Sequence, residues 1–267
     1  MEGLRAACRA VFGGEVAGVN RLHGGDLSEV TRVTLEVGRV VVAKAGPMVD
    51  REARMLTSIL GAGCPAPQVL GLSGGLVFLE ALDEATPGPD RWARFGEDLA
   101  RLHSVRGDSY GWAEDYAFGP VAIRNGPAGD WPTFWAERRL LPFVADLPRG
   151  LGARVETLAR RLPDLLPRTP APGLLHGDLW TGNLLATAEA IHVIDPASYF
   201  GDGEVDLAML HLFGRPGPGF AEGYGPPAPG WEARRAVYSL FPALVHVRLF
   251  GAGYHAMAER FLAASGV

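Results

Sequence analysis

The chain has 267 residues, 48% of them apolar and 21% charged, with a formal net charge of -5, the profile of an ordinary soluble globular protein with ample core material. The arginines are scattered among the acids and not gathered into a stripe, which argues against nucleic acid as a partner. No stretch reaches the roughly 18 to 20 apolar residues of a membrane span and no basic-then-apolar leader opens the chain, so a cytoplasmic protein with no membrane partner is expected.

Residues 2 to 12 read as a short helix and Val16 to Leu22 as a strand before Gly24-Gly25. Residues 29 to 37 alternate as a half-buried strand does, Gly38-Arg39 makes a turn, and residues 40 to 45 form the partner strand. A helix over 48 to 62 ends at Gly61 and Gly63, and strands around 67 to 72 and 75 to 80 flank Ser73-Gly74-Gly75. Asp83 to Pro89 is rich in proline, glycine and acids, a composition shift that marks a hinge. From residue 90 the pattern turns helical, with helices expected at 90 to 105, 131 to 146, 151 to 166, 204 to 213, 231 to 248 and 250 to 264 and mostly loop over 106 to 130. The expectation is an α+β chain of two lobes: an antiparallel-sheet N-lobe (1–82), a linker (83–89) and a larger helical C-lobe (90–267), with a cleft between them. Cys8 and Cys64 fit neither a zinc cluster nor a disulfide framework and read as buried free thiols. A single glutamine, three asparagines and proline-rich loops give a composition associated with thermophiles, which GC-rich coding also produces.

Lys44 is the one lysine beside 24 arginines. A chain that writes its other cations as arginine keeps here a compact point charge, the kind that suits a phosphate. Downstream, His176-Gly177-Asp178-Leu179-Trp180-Thr181-Gly182-Asn183 precedes the apolar Ile191-His192-Val193-Ile194, which runs into Asp195-Pro196-Ala197. A lysine on an N-terminal strand, an Asp with an Asn five residues later, and a second Asp ending the next strand form the set that kinase-type phosphoryl transfer uses. Asp178 is the expected base for the attacking hydroxyl, Asn183 and Asp195 the expected ligands of Mg2+, and Lys44 the cation on the phosphates of ATP. As a bare tripeptide, His-Gly-Asp is also a common turn; the spacing of the whole set carries the argument.

Around this set lie the remaining candidates. Gly24, Gly25 and Ser28 read either as a glycine loop over the phosphates or as a plain hairpin turn. Glu52 is the favoured partner of Lys44, with Glu36 and Asp50 as rivals. Leu79-Glu80-Ala81-Leu82 is placed to offer backbone groups to an adenine edge, with Glu80 and Leu82 as the named positions. Trp180 would wall a substrate pocket, and His176, in the same loop, is assigned with it to the substrate side while shaping the turn that carries Asp178. Asp130 reads as the N-cap of a helix with Pro132 in its first turn, Asp206 as a cap or dipole partner, and His103, His211, His246 and His255 as packed or surface residues.

At LLHGDLWTGNLL and VIDPASYFGDGEVDLAML the chain resembles the fructosamine kinase (ketosamine 3-kinase) family. The Trp after HGDL, the DPA segment and the YFGDGEVDLA continuation separate it from the related aminoglycoside and choline phosphotransferases; Tyr110-Gly111-Trp112 and DWPTFWAERRLLP are further landmarks. The resemblance implies a bilobal protein-kinase-like fold and MgATP-dependent phosphorylation of the third-carbon hydroxyl of ketosamines. Their phosphorylated products release the amine, so small ketosamines or glycated protein lysines are the implied partners and protein deglycation the implied role. Asp26 stands where many relatives carry cysteine, and Thr181 where serine is common. A different small-molecule kinase on the same fold and a nucleotide-binding pseudokinase are the rival readings. Closure of the two lobes over ATP is expected from the fold analogy.

Overall fold

The computed structural model describes residues 1–22 and 28–267. Helix α1 (Glu2–Phe12) leads into strands β1 (Val16–Arg21), β2 (Glu29–Leu35) and β3 (Val40–Ala45), then helix α2 (Val49–Gly61) and strands β4 (Val69–Ser73) and β5 (Leu76–Glu80). The five strands form one antiparallel sheet in the order β1-β2-β3-β5-β4, with Val33 opposite Val41 and Lys44 opposite Val77. The two-residue period of a strand decides what each face meets. Val33, Leu35, Val41, Ala43 and Phe78 pack on Ala7 and Cys8 of α1, while Val77 and Leu79 turn to the opposite face, toward Leu56 and Ile59 of α2. Lys44, one residue beyond Ala43, therefore leaves the α1 side and faces the cleft.

Residues 81–88 carry no regular structure, and helix α3 (Pro89–Ser104) opens the helical part. There follow β6 (Tyr116–Phe118), β7 (Val121–Ile123), α4 (Trp131–Trp135), α5 (Arg149–Leu165), β8 (Gly173–Leu175), β9 (Leu184–Ala186), β10 (Ile191–Val193), β11 (Tyr199–Gly201), α6 (Glu204–Leu210), α7 (Phe220–Tyr224), α8 (Trp231–Phe250) and α9 (His255–Ala264). Asp130 caps α4 by accepting the Thr133 N–H at 2.9 Å. The aromatics of this segment form the heart of the larger lobe. Trp131 stacks on Phe134 at 5.3 Å and donates its indole N–H to Tyr238, which donates to Asp202.

Two local expectations are corrected, while the stretch 106–130 is mostly loop as expected, interrupted by β6 and β7, which pair as a hairpin of three residues each, too short to leave an alternation. The helix expected over 131–146 is α-helical only to Trp135, continues as a π-turn over 136–140 and tightens to a 3-10 turn over 141–146. Residues 250–264 begin with Gly251 and a 3-10 turn before α9 starts at His255. Helix α7 was not foreseen; it has five residues, and its burial comes from packing on α3. Cys8 and Cys64 are both free and buried. Among the described residues no helix is long and apolar enough to cross a membrane.

Candidate active site

Lys44 is 5% exposed, and its ammonium donates at 2.7 Å both to Glu52 of α2 and to Asp195 at the end of β10. Burial works against a charged ammonium, but the two carboxylates outweigh it and hold its pKa above the ordinary lysine value. Glu52 lies on the buried stripe of α2 with Val49, Ala53 and Leu56, so the helix period aims it at the strand. Of the three acids considered as partners for Lys44, Glu52 is the one in contact.

The loop from His176 to Asn183 is held at both ends. His176 is fully buried: its Nε2 faces the Ile194 carbonyl at 2.9 Å and so carries the hydrogen, leaving Nδ1 to accept the Asp178 N–H at 3.3 Å. Gly177 has φ 83, and a Cβ there would sit 2.1 Å from the Ala197 carbonyl oxygen, so only glycine fits. Asn183 spends its amide NH2 on the Asp178 carbonyl at 2.8 Å and carboxylate at 3.0 Å, which leaves its Oδ1 open toward the cleft. Asp195 has φ 56, the one non-glycine residue with positive φ among those described, a strained setting of the kind that functional sites hold in place.

These groups meet at a cavity of about 560 Å³ whose walls include Ser28, Lys44, Asp178, Trp180, Asn183 and Asp195. Burial pushes the Asp178 carboxyl up to about 7; the Asn183 amide opposes the shift, and the charges of Asp195 and Asp206 reinforce it. A carboxylate raised toward neutrality is a better proton acceptor than an ordinary aspartate. Among the described residues no cluster of three His, Cys, Asp or Glu is arranged for a metal. Asn183 Oδ1 and Asp195 instead offer two hard oxygens beside the cavity, a donor set that fits Mg2+, which draws its remaining ligands from phosphates and water.

Gly24 and Gly25 lie outside the described residues. Glu80 and Leu82 lie apart from this cavity wall, and the Glu80 N–H and carboxylate are both engaged by Gln68, so that amide is not free for an adenine. Two readings are corrected. His176 cannot touch a substrate, because its ring is sealed under the loop it organises. Asp206 stands in the first turn of α6, where the helix dipole favours an acid, but it is no cap: fully buried, it accepts the N–H groups of His176 at 2.7 Å and Gly177 at 2.9 Å and faces His103 Nε2 at 3.1 Å. Burial alone would raise its carboxyl, but the His103 ring and the loop amides hold it below the usual carboxylate range. Tyr224 of α7 continues the chain, its hydroxyl 2.8 Å from His103 Nδ1. The missed signal was an acid inside Val205–Leu210, where every neighbour is buried, because a charge in such a run needs a partner.

Comparisons with known proteins bear on the family and the fold. The sequence profile of the family described as Fructosamine kinase matches residues 7–265. A probable ketoamine kinase of Thermus thermophilus is 38% identical over 255 residues, which cover 91% of this chain and 92% of that protein. A crystal structure from Thermobifida fusca that carries the provisional name fructosamine-3-kinase superposes with a TM-score of 0.91 at 35% identity, covering 99% of both chains. A macrolide 2'-phosphotransferase type I, at 20% identity and a TM-score of 0.65 over 99% of this chain and 94% of its own, shares the fold.

Proposed function

The chain belongs to the fructosamine kinase family, and we propose that it transfers the γ-phosphoryl group of MgATP to the 3-hydroxyl of ketosamines of the fructosamine or ribulosamine type. The observation that carries this reading is the convergence of Asp178, Lys44, Asn183 and Asp195 on one cavity wall, with Lys44 tied at 2.7 Å to both Glu52 and Asp195. The substrate oxygen forms its bond to the γ-phosphorus, the bond from that phosphorus to the ADP oxygen breaks, and the hydroxyl proton passes to Asp178. Lys44, fixed by Glu52 at 2.7 Å, is placed to balance charge on the phosphates. Asn183 Oδ1 and Asp195 would hold Mg2+, which when bound neutralises phosphate charge and orients the transfer. Asp206 and His176 act on the loop and not on the substrate. A phosphorylated ketosamine that sheds its amine gives the activity a place in protein deglycation.

An aminoglycoside kinase is the second reading. The cavity wall opposes it, since among the described residues it offers no carboxylate to a polycation beyond Asp178 and Asp195 and is otherwise largely aromatic and aliphatic. The test is ADP release from MgATP across ribose- and fructose-derived ketoamines, an aminoglycoside and choline, with Asp178→Asn as control. Turnover on ketoamines alone, reduced at least about a thousandfold by the substitution, is the expected result. Full turnover in Asp178→Asn would remove Asp178 as the base, and turnover only on another alcohol would overturn the substrate.

A further inference from the structure

Three of the large apolar side chains that remain exposed gather at the mouth of this one cavity: Trp180 at 36%, Phe213 at 45% and Phe250 at 47%. They are joined through rings to His246 and Tyr254. Trp180 meets Phe213 edge-on at 6.0 Å, Phe213 lies 5.2 Å from His246, and His246 lies 5.5 Å from Phe250 and 4.9 Å from Tyr254. A continuous aromatic shelf on the rim of a polar reaction centre is not core packing, and Asp178 stands two residues before Trp180 in the same loop.

His246 is fixed in a defined tautomer. Its Nδ1 lies 2.8 Å from the Pro242 carbonyl, an oxygen that only accepts, so Nδ1 carries the hydrogen and Nε2 is the lone-pair nitrogen. Nε2 has no hydrogen-bond partner among the described residues and is not among their buried unpaired atoms. Burial lowers the pKa of this ring, which keeps it neutral and free of repulsion toward a cation.

Substrate geometry brings this shelf into reach. In a ketosamine the nitrogen is on the first carbon and the reacting hydroxyl on the third, four bonds apart and about 5 Å at full extension for bonds of ~1.5 Å. With the hydroxyl at Asp178, the nitrogen and whatever it carries must rest on a wall close by. The Lys44 side is occupied by the phosphates in the proposed reaction, which leaves the aromatic side.

We propose that Trp180, Phe213, His246, Phe250 and Tyr254 form the subsite for the nitrogen end of the substrate, binding its secondary ammonium at His246 Nε2 and the ring faces and selecting an apolar substituent on that nitrogen. The assignment rests on the ketosamine reading above. The ammonium N–H donates to Nε2 and its charge lies against aromatic faces. An alkyl or aryl group beyond it buries apolar surface on Phe213 and Phe250, whereas a carboxylate there is desolvated with no fixed cation other than Lys44 among the described residues of the cavity wall. The alkyl stem of a lysine satisfies the same rule.

The experiment measures kcat/KM for one sugar carried on butylamine, benzylamine and glycine, in the wild type and in Phe213→Ser, Phe250→Ser and His246→Phe, with light scattering alongside. The wild type is expected to favour the butylamine and benzylamine adducts over the glycine adduct by about tenfold or more, chiefly through KM. Each serine variant should shrink that ratio, and His246→Phe, which keeps a ring but loses the acceptor, should raise KM for all three adducts. Equal use of the three adducts by the wild type, or a ratio that none of the serine variants moves, would overturn the subsite. So would a change of oligomeric state in the serine variants with the ratio intact, since the shelf would then be a contact between copies. Silence on every adduct would overturn the ketosamine reading and this inference with it, whereas turnover without preference overturns the inference alone.

Discussion

Lys44 answers to two carboxylates at 2.7 Å each, in a pocket that leaves it 5% exposed. An arginine would keep the charge, but its fork is planar and longer, and it would displace Glu52, Asp195 or both. Lys44→Arg is expected to lower kcat/KM by about a hundredfold with the melting temperature nearly kept; activity within a few-fold of wild type would show that this position needs only a cation. His176 bears on stability. Burial lowers its folded pKa below the ordinary 6.5, so the unfolded chain binds a proton that the folded chain refuses. Its contribution is therefore fully present above pH 6.5 and is lost as pH falls below that value, at up to ~1.4 kcal/mol per pH unit for one proton. His192 and His246 shift in the same direction. Urea midpoints at pH 7 and pH 5 check this: wild type should lose stability steeply, and His176→Gln, though less stable at pH 7, should lose less on acidification. Equal slopes in the two proteins would remove His176 from the account.

The segment that α4 opens shows how one element serves another. Arg139, in the π-turn, is fully buried with no carboxylate partner among the described residues, and its guanidinium lies over Tyr199 at 4.2 Å, Phe134 at 4.8 Å and Phe241 at 5.3 Å. Its N–H groups reach the Arg124 carbonyl and the Asn125 side chain, both at 2.7 Å. Lysine cannot span those acceptors or stack in the cage, so Arg139→Lys should cost about 3 kcal/mol in urea unfolding. Arg138→Lys, at a half-buried neighbour outside the cage, should stay within about 1 kcal/mol; equal costs at the two positions would show that the cage adds nothing. The sequence announced this helix by its aromatics but not the role of Arg139, because the charge is compensated by rings and carbonyls drawn from other elements. The same divide runs through the site. Lys44, Asp178, Asn183 and Asp195 were legible because one is a compositional singleton and the others sit at short, local spacings. Asp206, His103 and Tyr224 act only through contacts between residues as far as 121 positions apart, and Phe213, His246 and Phe250 read as ordinary helix residues until α8 is placed against the loop. The sheet and the long helices were legible from their periods, whereas β6, β7 and α7 are too short to have one.

At the scale of the molecule, the sheet and the helical part share a core. Leu56 and Ile59 of α2 and Val77 and Leu79 of β5 belong to the same buried cluster as Leu99 of α3 and Leu244 of α8, while the outer face of the sheet forms a second cluster with α1. The joint is reinforced around Cys64: Arg101 donates to the Gly63 carbonyl at 2.8 Å, and the Val193 N–H to the Pro65 carbonyl at 2.9 Å. A bilobal chain built this way should unfold as one unit, and any closure over nucleotide must be carried by the strands and not by α2, whose apolar face is committed to the shared core. The two cysteines test the point, since Cys8 lies in the outer cluster and Cys64 at the joint, and burial raises both thiols above their ordinary range. Neither should react with an alkylating reagent in native buffer, and in rising urea both should become reactive across a single shared transition that coincides with loss of helix signal. Labelling of Cys8 at lower urea than Cys64 would mean that the sheet and α1 open separately, and the larger lobe would then be the independent folding unit.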